Sequence, residues 1–267
     1  MLLDVETNED LELVKNSLSQ LLSREWNIYG SKKHEVPKDK VLDLFNKFKD
    51  LGIFQFVKED FTNALIINEI IGENLLPGII ATTAMVGEDN PITVGTEYVP
   101  EAEIANFILT PHGIADKDKV KLKRIESPDP SINMYKVISG EWSKSEIDFD
   151  RVMLMASAQI VGHGVACMRE IIEYSKNRTA FGKPIGSYQA IKHKIVDDVI
   201  SLELVRSRYL TIKSPSNAKS ILEHAFRKSF RAILDSIQMH GGIGFTADLD
   251  LHLHLKRIIA LEKIFHV

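Results

Sequence analysis

The residues best suited to chemistry in this 267-residue chain lie in two short stretches. The first is Arg178-Thr179-Ala180-Phe181-Gly182-Lys183-Pro184-Ile185-Gly186. Two glycines and a proline constrain a loop here, while Arg178 and Lys183 supply positive charge. An arginine on a rigid loop can hold a phosphate bidentately. The competing reading is a plain helix–helix connection with solvated charges, because basic loops are common. The second stretch is Gln238-Met239-His240-Gly241-Gly242-Ile243-Gly244-Phe245. Its glycines let backbone approach another molecule closely, and the amides so exposed can line an anion or a ribose. Taken alone, Gly241-Gly242 reads equally well as the end of a helix.

No other cluster competes with these two. His252 and His254 are two positions apart and would point to different sides of a helix, so the expectation is no metal site. His193 and His224 read as solvated. The single cysteine, Cys167, lies in an apolar run and reads as a small core residue. One cysteine leaves no disulfide framework within the chain, which suits a reducing compartment.

Composition bounds the function class. The chain carries 33 Lys+Arg against 37 Asp+Glu, a formal charge of −4, which gives no reason to expect nucleic acid or anionic lipid as a partner. No segment reads as about 18 consecutive apolar residues, so no membrane span is expected. The first residues are acidic rather than basic, unlike a signal peptide. A cytoplasmic protein is the expectation.

The elements that must position the two stretches are helices. Leu11, Val14, Leu18, Leu21 and Leu22 recur at helical spacing, with Thr7 or Asn8 as cap. A second helix follows Pro37, with Val41, Leu44, Phe45, Phe48 and Leu51 on one face and Gly52 as its stop. A third runs from about Phe61 to Gly72. Prolines and short β-like runs then take over: Asn106–Thr110, Val120–Ile125 and Met134–Ile138 read as strands, and Pro128-Asp129-Pro130-Ser131 as a turn. Lys121, Lys123 and Arg124 suit a solvated strand edge. From Asp150 the helical period returns. Val152 to Tyr174 is apolar on most sides and reads as a buried helix. Tyr188 to Lys213 and Asn217 to Met239 follow, separated by a turn and cap at Ser214-Pro215-Ser216-Asn217. Leu249 to Leu261 fits strand and helix about equally; a helix is preferred because it supplies the fourth member of a bundle. No internal repeat is visible.

The two stretches together, about 50 residues apart, are specific. Arg-Thr-Ala-Phe-Gly-Lys-Pro-Ile-Gly-Ser-Tyr-Gln-Ala followed by Gln-Met-His-Gly-Gly-Ile-Gly-Phe, with Asp250-Leu251-His252-Leu253-His254-Leu255-Lys256-Arg257 downstream, resembles the acyl-CoA dehydrogenase family. The resemblance covers about Val152 to Ala260. It is weaker in the N-terminal helices, where Glu69-Ile70-Ile71-Gly72 matches that family's Glu-x-x-Gly helix end. It implies flavin adenine dinucleotide (FAD) held across a subunit interface. Arg178 would take the pyrophosphate or adenosine side, with Thr179 and Ala180 beside it. Phe181 would pack against the cofactor, and Gln189 would contact the nucleotide. Gln238, Met239, His240, Gly241 and Gly242 would approach the adenine-ribose half. The implied reaction is α,β-dehydrogenation of an acyl-CoA thioester, in which a carboxylate takes the α proton and the electrons pass to an electron-transfer flavoprotein.

The pattern departs from the family in two places. The family's usual base is a glutamate in a Tyr-Glu-Gly-Thr-like motif after the Lys256-Arg257 region, and none is found here; Phe265 or His266 stands near that location. Glu262 reads as a surface glutamate and Asp150 as a helix N-cap, so the catalytic base is unassigned. About 50 residues also stand where full members carry a β domain of about 100. The fold expected is therefore mostly α: an N-terminal helical domain over 1–85, a reduced β segment over 86–147 and a C-terminal antiparallel four-helix bundle over 148–267. The function expected is a flavoprotein subunit that adds FAD contacts across an interface and relies on a partner for its base. The assembly would be a homodimer or tetramer, or a heterotetramer with a full-length acyl-CoA dehydrogenase chain. The alternative is a helical interaction or structural subunit, not an enzyme, that has lost FAD.

Overall fold

A computed structural model describes residues 9–26, 36–212 and 217–266. The caps expected at Thr7 or Asn8 and the turn at Ser214-Pro215-Ser216 lie outside these residues. The N-terminal part consists of α1 (Glu9–Glu25), α2 (Lys38–Asp50), α3 (Ile53–Glu59), α4 (Phe61–Glu73) and α5 (Gly78–Val86). Helix α2 buries Val41, Leu44, Phe45 and Phe48, the stripe its spacing predicts. Gly52 does end it, yet in a left-handed conformation (φ +69°) that starts α3 at once. Helices α3 and α5 are additions to the sequence reading. Each is too short, or too uniformly apolar, to show a 3.6-residue period. Helix α4 starts at Asp60, whose side chain accepts the Asn63 N–H at 2.7 Å, a standard N-cap.

The β segment holds two three-stranded sheets. One is β1 (Ile92–Val94), β3 (Phe107–Thr110) and β4 (Gly113–Asp116), with β1 and β3 parallel. The other is β2 (Tyr98–Pro100), β6 (Met134–Gly140) and β5 (Val120–Ile125), antiparallel throughout. A bridge from Ile114 to Ser143 extends the first sheet. Val99, Ala102, Ile108, Ala115 and Val120 form a small core of their own. Strand β5 lies at the edge of its sheet and exposes Lys121, Lys123 and Arg124, as expected.

The C-terminal bundle is α6 (Phe149–Asn177), α7 (Gln189–Leu210), α8 (Ala218–Met239) and α9 (Leu251–Phe265). The ambiguous Leu249–Leu261 stretch is thus helical. Helix α6 is buried continuously from Leu154 to Val165, with Cys167 buried as well. Contrary to expectation, α6 is long and apolar enough to cross a bilayer, but 83% of its most apolar window is buried inside the fold, so it is a core helix. Asp148, two residues before the expected cap Asp150, caps it by accepting the Asp150 N–H at 3.0 Å. One hydrophobic core runs through the N-terminal helices and the bundle together. Its tightest seam is α4 on α6. A Cβ on Gly72 would lie 2.0 Å from the Gln159 carbonyl oxygen, and one on Gly162 would lie 2.1 Å from that of Glu69. Helix α9 is tied to the β segment by Thr96, whose N–H and hydroxyl both donate to the Ile264 carbonyl.

Candidate functional site

The basic loop folds as a hairpin at the end of α6. Arg178 caps the helix, its N–H donating to the Tyr174 carbonyl at 2.8 Å, and its own carbonyl accepts the Ile185 N–H at 2.8 Å. Thr179–Ala180 pairs antiparallel with Lys183–Pro184. The two residues between, Phe181 and Gly182, both adopt positive φ (+52° and +82°), the two-residue turn that suits the twist of a hairpin. Glycine takes this conformation freely, whereas phenylalanine is strained by about 1–3 kcal/mol. Phe181 is 97% exposed, so nothing in its own chain repays that strain. Tyr188 steadies the hairpin: its hydroxyl donates to the Ala180 carbonyl at 3.0 Å, and Lys183 sits over its ring.

The second stretch closes α8. His240 is the C-cap, and Gly241 follows in the left-handed conformation (φ +68°), which begins a 3₁₀ turn from Gly241 to Phe245. A Cβ on Gly241 or Gly242 would meet no atom of the chain within 4 Å. Backbone conformation asks for glycine at 241. At 242 neither conformation nor internal packing does, and the cradle stays open to another molecule.

Tyr174 joins the two stretches. Its ring lies 4.5 Å from that of His240, and its hydroxyl reaches the His240 carbonyl at 3.5 Å. Tyr174, Arg178, Ile185, Met239, His240, Gly241, Gly242 and Ile243 together line one cleft of about 370 Å³. His240 Nδ1 donates to the Ser236 carbonyl at 2.8 Å, which leaves Nε2 as an acceptor. That atom is buried and has no hydrogen-bond partner among the described residues. The cleft therefore offers a guanidinium, a glycine cradle and a buried acceptor, a set suited to the phosphate, ribose and N–H groups of a nucleotide. The other predicted site residues do not line it. Thr179, Ala180 and Phe181 stand on the hairpin beside it. Gln189 is exposed at the first turn of α7, and Gln238 is exposed with its carboxamide oxygen accepting from Lys194 at 3.4 Å.

The candidate bases are not at this cleft. Asp150 is half-buried at the start of α6, and Glu262, expected on the surface, is half-buried on α9. These two helix ends meet through Phe149 and Phe265, whose rings are 6.2 Å apart. A second cleft, of about 350 Å³, is lined by Thr96, Trp142 and His266 among others. A third, of about 1060 Å³, lies along α1, α4 and α6 and is lined by Trp26, Glu73, Arg169 and Tyr174 among others.

Several buried polar pairs escaped the sequence reading, because each joins residues far apart in the chain. Arg206 and Tyr209 donate to one Glu69 oxygen at 2.8 and 2.6 Å. Arg257 donates to Asp129 and to the Leu76 carbonyl, so the Pro128–Ser131 turn is an anchor as well as a turn. His254 points inward, its Nδ1 3.0 Å from that of His163. His224, expected to be solvated, is half-buried with Nδ1 2.8 Å from Arg208.

Comparison with known proteins gives this geometry relatives. Residues 140–263 match the acyl-CoA dehydrogenase C-terminal domain. Acyl-CoA dehydrogenase IpdE2 of Mycolicibacterium smegmatis is 26% identical over 225 residues, 74% of this chain and 72% of that protein. IpdE2 of Mycobacterium tuberculosis is 27% identical over 174 residues, of which this chain spans only 55% of the relative's length. Among solved structures, a variant of the Tcur3481-Tcur3483 steroid ACAD superposes with a TM-score of 0.79 at 15% identity, covering 95% of this chain and 93% of that one. Butyryl-CoA dehydrogenase from Megasphaera elsdenii does so at 0.72 and 14%, covering 97% and 95%. The ChsE4-ChsE5 complex from Mycobacterium tuberculosis does so at 0.69 and 14%, covering 98% and 94%. Residues 140–263 thus carry the acyl-CoA dehydrogenase C-terminal domain, and nearly the whole described chain adopts the fold of acyl-CoA dehydrogenases.

Proposed function

We propose that this chain is a subunit of an enzyme that α,β-dehydrogenates an acyl-CoA thioester, and that its cleft between the hairpin and the α8 end grips the nucleotide half of FAD seated mainly in a neighbouring subunit. The observation that carries the reading is the convergence of Arg178 with Gly241 and Gly242 on one cleft, beside an aromatic ring held strained and bare at a hairpin tip. Arg178 would pair with a phosphate, His240 Nε2 would accept a ligand N–H or O–H, and Phe181 would gain its packing from the cofactor or the adjoining chain. When bound, FAD would accept the hydride of the reaction and pass its electrons to an electron-transfer flavoprotein. The catalytic base would come from the partner, since this cleft contains no carboxylate. Two of the structural neighbours are named as paired products, the Tcur3481-Tcur3483 enzyme and the ChsE4-ChsE5 complex, and they favour a heteromeric assembly. A reducing, cytoplasmic setting belongs to the same proposal.

The test is to purify the chain alone and after co-expression with a full-length acyl-CoA dehydrogenase from the same genome. Flavin absorbance and acyl-CoA-dependent dye reduction in the pair, with little of either in the chain alone, is the expected result. A stable pair that holds no flavin in stoichiometric excess over the full-length chain alone, and works no faster, would leave a purely structural subunit.

A further inference from the structure

We propose that Lys194 is a positioning residue of the nucleotide cleft: pinned at the α7–α8 seam, it takes the Gln238 carboxamide by its oxygen and leaves only the amide's N–H groups for a ligand. The inference rests on the nucleotide reading and adds to it a residue outside the two loops. Lys194 lies near the start of α7, while Asp235 and Gln238, three positions apart, share one face of α8. Lys194 Nζ donates to Asp235 Oδ1 at 2.9 Å and to Gln238 Oε1 at 3.4 Å. Arg231 Nε donates to the other Asp235 oxygen at 2.8 Å. Asp235 is thus gripped by two cations, its side chain 7% exposed, and it fixes Lys194 in turn. Gln238 is followed directly by Met239 and His240, which line the cleft.

An ammonium only donates, so an amide that meets it must present its oxygen. The Gln238 NH₂ then points away from Lys194 and has no hydrogen-bond partner among the described residues. Held this way, Gln238 is a donor set in advance for a phosphate oxygen or a ring acceptor, with less rotamer freedom to lose on binding. Asp198, one turn after Lys194 on α7, stands behind the clamp. It is 6% exposed, and its Oδ2 is buried with no hydrogen-bond partner among the described residues. Burial, then the Asp235 charge and more weakly Asp197, push its carboxyl up to about 6 against the pull of Lys194 and Arg231. Above that pH Asp198 adds a second negative charge beside Lys194; below it the charge is gone. The hold on Lys194, and through it on Gln238, loosens as pH falls through about 6.

The experiment follows the rate of flavin release from the assembled complex between pH 5 and pH 8, with unfolding midpoints alongside. Lys194→Met is expected to speed release several-fold at pH 8, and Lys194→Arg to restore it. Gln238→Glu keeps the contact with Lys194 but gives up the donor. Its release should be about tenfold faster, the worth of one hydrogen bond to a charged acceptor, at an unfolding midpoint unchanged or raised. Wild-type release should quicken below about pH 6, and Asp198→Asn should release fast at every pH, without that step. Wild-type release rates in Lys194→Met or in Gln238→Glu would overturn the proposal, as would an acid step that survives in Asp198→Asn. If Arg178→Ala and Gly242→Val shed flavin while Lys194→Met and Gln238→Glu hold it, the cleft stands and the positioning role falls. If all four hold it, the nucleotide reading falls too.

Discussion

Arg206 on α7 donates its Nε–H to Glu69 on α4 at 2.8 Å, across 137 residues, with both side chains almost entirely buried. The Tyr209 hydroxyl donates to the same oxygen. This accounts for the glutamate of the Glu69-Ile70-Ile71-Gly72 stretch: it pins α7 to α4, one turn before Gly72 brings α4 onto α6. Removing one partner of a buried pair leaves a charge without its compensation. Glu69→Ala is expected to lower unfolding free energy by about 3–5 kcal/mol. Replacing the pair together, Glu69→Leu with Arg206→Met, should cost clearly less, and urea titrations of the three variants measure the difference.

The α4–α6 seam should tolerate nothing larger than glycine. The Cβ of Gly162→Ala would sit 2.1 Å from the Glu69 carbonyl oxygen, a backbone atom that cannot swing away. Overpacking a close seam costs about 1–3 kcal/mol or more. Gly162→Ala should therefore shift the denaturation midpoint strongly. Gly242→Ala, where a Cβ meets nothing, should leave it in place.

The same contrast separates binding from folding at the cleft. Gly242→Val fills the cradle without touching the chain's own core, so it should strip flavin from the assembled complex at an unchanged unfolding midpoint. Arg178→Ala should weaken flavin retention by about 1.5–3 kcal/mol, the worth of a charge-assisted phosphate contact. Full flavin content in both variants, measured after dialysis, would remove the cleft from the binding site.

Acidification should first strengthen the fold through Glu101. Burial pushes its carboxyl up to about 7, although the Ile79 N–H donates to it at 2.7 Å and Arg257 lies near. Between its unfolded value of 4.5 and about 7, the folded chain holds a proton that the unfolded chain has lost, so stability falls as pH rises through that window. Glu73, also raised to about 7 by burial, acts in the same direction. Glu101→Gln keeps an oxygen for the Ile79 N–H and cannot ionise. Relative to wild type it should gain up to about 3 kcal/mol between pH 5 and pH 8. Chemical denaturation at the two pH values gives the comparison.

His254 should act in the opposite sense. Burial first, and then the nearby Arg257 charge, bring it down to about 3 against the opposing effect of Asp129; His163 against it is also driven well down by burial. Below pH 6.5 the unfolded imidazoles take protons that the folded ones refuse, so this pair removes stability as pH falls. His254→Phe should flatten the acid limb of the stability curve, whatever it does to the plateau.

Much of this was legible in local sequence. The stripes of α1, α2, α7 and α8, the buried length of α6 and three of the strands follow from period and turn residues, because burial on one face leaves a repeating mark. The Arg178 and Gly241-Gly242 stretches were legible as types of residue. Helices α3 and α5 were not, since a short or wholly buried helix carries no contrast between faces. Nor were the roles of Asp129, His254 and Glu69, since each depends on a partner 91 to 140 residues away, and a single chain of letters does not say which distant residue a buried charge will meet.

What the sequence determined by itself was the stock of parts: a helical chain, a basic glycine-bearing loop, a glycine pair at a helix end and no basic excess. Tertiary structure alone decided that Tyr174 joins the two loops at one cleft, that Phe181 stands bare on a strained turn, and that Val196, Ile200 and Leu204 face away from the core. Local periodicity reports that a face is apolar, whereas only the packing of the other helices settles whether that face is covered.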